Sequence, residues 1–109
     1  MAAKLPYQAT TATGDRLDFE FPLHGETGDP VRVSQMLSAV LGTLDREVKL
    51  DPSTSNGDLL QAMAMALAVR CAMLSGDEEM AEAMTRQLLD QAFAAGRAVE
   101  RQSPTAGHA

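Results

Sequence analysis

The sequence predicts an α+β fold: an N-terminal β-hairpin, with a short third strand available to it, then three α-helices, the middle one buried and the second and third paired as an antiparallel hairpin. Three observations carry this expectation. Residues 16–23 alternate apolar and polar side chains with period two, the pattern of a half-buried strand. Residues 34–48 and 80–101 repeat their apolar positions every three to four residues, as amphipathic helices do. Between them, residues 59–74 (LLQAMAMALAVRCAML) are apolar at fourteen of sixteen positions, broken only by Gln61 and Arg70. A helix apolar on nearly every side is ordinarily a buried one.

Taken in order, residues 5–11 read as a strand, and Pro6 restricts it to an edge or a strand start. Thr13-Gly14-Asp15 supplies a turn into the alternating segment, which puts Leu17, Phe19, Phe21 and Leu23 on one face and Arg16, Asp18 and Glu20 on the other. Because a two-stranded hairpin alone is marginal in water, its Leu/Phe face is expected to lie on helices or to extend a partner's sheet. The loop HGETGDP ends the strand at residues 24–30, and residues 31–33 are extended enough to pair as a third strand. The first helix is then expected to start near Ser34, with Asp29-Pro30 as the competing start, since Asp is a good cap and Pro suits a first turn. Met36, Leu37, Val40, Leu41, Leu44 and Val48 share its apolar arc.

The stretch KLDPSTSNGD separates the first two helices, and Ser55 followed by Asp58 resembles a capping box. The second helix is expected to stop at Ser75-Gly76, where glycine can take a left-handed conformation. Asp77-Glu78-Glu79 opens the third, placing carboxylates at the positive end of the helix dipole. Along that helix Met80, Met84, Leu88, Ala92 and Val99 form one arc, while Leu89 and Phe93 lie outside it as a second apolar patch beside Gly96. Residues 1–101 are expected to make one domain and residues 102–109 a flexible polar tail.

Composition narrows the functional classes. Nine Lys and Arg against fifteen Asp and Glu give a net charge of -6, which repels phosphate backbones and anionic lipid, so neither nucleic acid nor membrane is an expected partner. The central helix, roughly 24 Å long at 1.5 Å per residue, is also shorter than the ~20 residues a bilayer needs. One cysteine, Cys71, excludes an internal disulfide, and no secretory leader is recognisable, so a cytoplasmic location is expected. With no Trp and no Ile, the interior must be made of Leu, Met, Val and Ala.

No sequence motif of catalysis or of cofactor binding is present, so no catalytic residue, metal ligand or cofactor is expected and the chain is not read as an enzyme. His24, Glu26 and Asp29 share a loop and, with Asp18 or Glu20, would be the donors of a cation site, but they read as a polar, glycine-bearing turn with a solvated histidine. The run Ser53 to Gly57 offers backbone donors at a helix start, but Asp51 and Asp58 flank it and repel an anion. Cys71 reads as an inert core thiol. Arg70 projects from within the apolar arc, where an unpaired guanidinium would be costly, so it must run past the helix end or meet a carboxylate, with Asp77, Glu78 and Glu79 nearest.

Two functional expectations follow. The first is a non-catalytic accessory or adaptor protein, dimeric with itself and binding another protein, with Leu89 and Phe93 as its contact patch. The second is a small-molecule sensor whose apolar pocket is lined by Met63, Met73 and Met84 and anchored by Arg70.

Overall fold

β1 (Lys4–Thr10) and β2 (Arg16–Pro22) form the expected hairpin in a computed structural model that describes residues 3–103. Lys4 faces Pro22, Tyr7 faces Phe19 and Thr10 faces Arg16. At the turn Gly14 takes φ 88°, a left-handed value that favours glycine, and donates its N–H to the Thr11 carbonyl at 3.0 Å. The period of two holds: Phe19 and Phe21 lie on one face with their rings stacked, centroids 5.0 Å apart.

A third strand exists, and it comes from the other end of the chain. β3 (Glu100–Gln102) pairs antiparallel with β2, giving the sheet order β1-β2-β3, whereas residues 31–33 are helical. Polar side chains fix this short strand. Arg101 Nε contacts Asp15 Oδ2 at 2.6 Å, and the Arg16 guanidinium donates to the Gln102 side-chain carbonyl. The third helix therefore stops at Arg97 rather than continuing to residue 101, and the expected tail begins inside a strand; its residues 104–109 lie outside the described residues.

The helices are α1 (Pro30–Leu50), α2 (Asn56–Met73) and α3 (Glu78–Arg97). α1 starts at the Asp29-Pro30 junction, not near Ser34, because proline's fixed φ suits a first turn and its missing N–H would have had no helical partner there. α2 carries the expected capping box: the Asp58 N–H donates to Ser55 Oγ at 3.1 Å, and the Ser55 N–H reaches the Asp58 carboxylate at 3.4 Å. Replacing Ser55 with Ala removes an acceptor for an otherwise unpaired helical N–H. It is expected to destabilise the protein by about 1 kcal/mol, read as a lower urea midpoint with unchanged slope.

Between α2 and α3, Leu74 is extended and Gly76 takes φ 120°. A side chain at Gly76 would meet no neighbouring atom, so any cost there is conformational. Gly76→Ala is expected to lower stability by more than about 1 kcal/mol, seen as a lower melting temperature, and an unchanged melt would show that the turn tolerates L-residues. Asp77 then caps α3, its Oδ1 accepting the N–H groups of Glu79 and Met80 at 3.0 and 3.1 Å. α2 and α3 contact each other as the expected hairpin.

The chain divides into two compact units. One comprises Met1–Pro30 with Leu88–Ala109, that is, the sheet and the C-terminal half of α3; the other is Val31–Gln87, with α1, α2 and the first half of α3. The expectation of a buried middle helix is overturned. Among the described residues no hydrophobic side chain is fully enclosed, and every residue from 60 to 70 is exposed. A helix apolar on all sides needs neighbours around its whole circumference, and its own unit supplies only two other helical segments. No helix among the described residues is long and apolar enough to cross a membrane.

A candidate interaction surface on the helices

α2 meets α3 along an edge marked by Cys71. Its Sγ lies 3.2 Å from Thr85 Oγ1, which itself donates to the Ala81 carbonyl at 2.8 Å. With that hydroxyl proton committed, the thiol is the donor to Thr85. Cys71 is half-buried at this contact.

Away from that edge the helix is open. Leu60 is 67% exposed, Met65 58%, Val69 56% and Met73 65%, and on the wheel these positions point in several directions. α1 adds to the same unit's apolar surface. The arc expected to share one face splits, Leu37, Leu41, Leu44 and Val48 being half-buried while Met36 and Val40 stay exposed. On α3 it is the small side chains, Ala81, Thr85, Ala92 and Ala95, that are half-buried, and Met80 and Met84 that face solvent.

The predicted ligand anchor behaves as a surface residue. Arg70 is exposed, makes no ion pair among the described residues, and places Nη1 3.8 Å from Met73 Sδ. Only a buried α2 would force it to pair or run past the helix end; on an open helix the guanidinium keeps its water and needs no carboxylate. Asp77, the nearest candidate partner, is occupied in capping α3. Met63, Met73 and Met84 are exposed as well, and neither of two cavities that lie against the sheet has any of these four residues in its walls. The structure thus brings Arg70 and Met73 together, both of them exposed.

In the other unit, Phe93 is 63% exposed and Leu89 is also exposed, so the second patch is open to contact. The loop residue His24 accepts the Glu26 N–H on Nδ1 at 3.0 Å, and no group of three or more His, Cys, Asp or Glu placed to hold a metal ion occurs among the described residues. At the start of α2 the N–H groups of Ser53, Thr54 and Ser55 already have acceptors, Asp51 Oδ1, the Asp51 carbonyl and the Asp58 carboxylate. Asp51 there accepts both the hydroxyl and the N–H of Ser53, which lower its carboxyl below the ordinary value.

Sequence reasoning missed one grouping, a cavity between the sheet and the C-terminal half of α3 whose walls include Lys4, Glu20 and Gln91. Only the alternation of residues 16–23, which sets Asp18 and Glu20 on a common face, hinted at it. That polar face, not the Leu/Phe face expected to meet a helix, looks across the cavity to α3. Period two says which side chains go together, not which face turns toward the helix. The sequence matches no protein-family model, no curated protein and no solved structure.

Proposed function

We propose that the protein is a non-catalytic adaptor that works through protein–protein contacts, self-associating as a homodimer through α2 and presenting Leu89 and Phe93 to another protein. The observation that supports this is the open apolar length of α2. Eleven consecutive residues, 60–70, are exposed in a segment whose composition belongs in a protein interior. Contiguous apolar surface of this kind marks an interaction site on soluble proteins. Self-association is the simplest way to cover it, since the commonest oligomers are two-fold symmetric and use one patch twice.

Light scattering on the purified protein tests the first half. The expected mass is about 23 kDa, twice the 11.6 kDa of the chain, with a melting temperature that rises with concentration. A mass of one chain at every concentration would remove self-association from the reading and leave α2 to a different partner.

A further inference from the structure

We propose that the methionines of the helical unit form a reversible oxidation site, at which a hydroperoxide turns the open apolar surface of α2 polar and releases the partner copy. For that last step the inference rests on the self-association reading. Six of the seven methionines, Met36, Met63, Met65, Met73, Met80 and Met84, fall within Val31–Gln87, and the seventh is Met1. All six are exposed, whereas Leu37, Leu41, Leu44 and Val48 of the same unit are half-buried. The thioethers are thus placed where water, and any solute in it, reaches the sulfur.

On α2 the three methionines are divided between its two sides. Met63 lies with Leu60 and Leu67, and Met65 and Met73 lie with Val69. Whichever side forms the seam therefore includes at least one sulfur. Leucine would serve a merely apolar surface as well, since it matches methionine in helix propensity and nearly in volume. What methionine adds is a sulfur lone pair open to an electrophilic oxygen. Cys71, the other sulfur of α2, is half-buried against Thr85 and takes no part in that surface.

The step is a two-electron oxygen transfer. A sulfur lone pair attacks the terminal oxygen of the hydroperoxide, the S–O bond forms as the O–O bond breaks, and the departing oxygen collects the proton to leave as water or an alcohol. Sulfur is oxidised to the sulfoxide and the peroxide is reduced. The product carries a hydrogen-bond acceptor at a position that the seam would seal from water, and an unpaired buried polar group opposes association. Exposed sulfurs hold no core together, so the helices survive the change. The sulfoxides face solvent in the released chain, where reductases of both epimer specificities reach them and restore the thioether, consuming a dithiol and releasing water.

Because the seam shields the same sulfurs, the full chain is oxidised by hydrogen peroxide in dilute solution and then concentrated. Peptide mass mapping reads the sites, light scattering the association, and a hydrophobic-interaction column the apolar surface. Wild type is expected to gain oxygen at Met63, Met65 and Met73 with unchanged helical circular dichroism, to associate at least about a hundredfold more weakly, and to elute earlier. Sulfoxide reductases with dithiothreitol should restore the association and the elution. Chains carrying Met63→Leu, Met65→Leu and Met73→Leu together should associate like the wild type and stay associated through the same treatment, whereas Met36→Leu with Met80→Leu should still be released. The proposal is overturned if oxidised wild type, its sulfoxides confirmed by mass, keeps its affinity, if the triple variant is released as readily, or if oxidation unfolds the helices. A chain that is monomeric before any treatment sinks self-association alone. In that case the switch stands if oxidation shortens wild-type retention reversibly and more than that of the triple variant, and it falls if the two respond alike.

Discussion

A chain carrying Leu60→Asp and Val69→Asp is expected to run as an 11.6 kDa monomer at concentrations where the wild type is expected to dimerise. Full burial of a Leu, Val or Met side chain contributes about 1.5–3 kcal/mol. The large side chains of α2 are about half exposed, so covering each contributes roughly 1 kcal/mol. Met65, Val69 and Met73 share one side of the helix and, counted on both copies, sum to about 6 kcal/mol. Association itself costs about 4–15 kcal/mol. Leu60 and Val69 lie on opposite sides of the helix, so whichever side forms the seam takes one buried carboxylate per copy, and the desolvation of each, several kcal/mol, removes the gain from covering that side. The same substitutions are mild within a single chain, because both positions are exposed there and Asp in a helix costs at most about 0.7 kcal/mol against Ala. Circular dichroism should accordingly retain the helical signal while sedimentation reports the smaller mass. Glu82→Gln, which breaks only the exposed Arg86–Glu82 pair, is the control and should change neither. A double variant that still dimerises with wild-type affinity would place the seam elsewhere.

How much of this could be read from the residues depends on whether the signal was local. The hairpin, the capping box at Ser55 and the stop before Asp77 are set by side chains within a few positions of one another, and they appear where period and cap chemistry put them. β3 could not be read in this way. Glu100-Arg101-Gln102 has no alternation of its own and becomes a strand through β2, with Asp15 and Arg16 supplying partners eighty-six positions away. The start of α1 was decided between two good local signals, and proline's fixed φ won over the Ser34 cap. The composition of α2 marks it as a helix, which it is, and predicts that it is buried, which it is not. Composition carries no count of the neighbours a single chain can supply, and the expectation of burial failed on that point. The cavity under the sheet failed for a related reason: Lys4, Glu20 and Gln91 are joined only by strand register and by where α3 comes to rest.

Phe93→Asp is expected to abolish capture of the other protein while leaving the dimer intact. A Phe side chain buries about 150–250 Å² when covered, so an exposure of 63% leaves roughly 95–160 Å² available to a partner. At about 25 cal/mol per Å² that is about 2–4 kcal/mol, or at least a fiftyfold change in affinity. The desolvation of a carboxylate at the same point adds to the loss. Because Phe93 belongs to the unit containing the sheet and the proposed seam belongs to Val31–Gln87, the variant should keep the wild-type mass in light scattering. Phe93→Leu separates shape from charge, for it keeps most of the apolar contact and should retain the partner at reduced affinity. The experiment compares proteins captured from lysate by tagged wild type, Phe93→Asp and Phe93→Leu. A partner held by wild type and Phe93→Leu but lost with Phe93→Asp supports the patch as the contact. Identical capture by all three would exclude Leu89 and Phe93 from recognition and turn attention to the apolar residues of α1 and α3 that remain in water, Met36, Val40 and Met80.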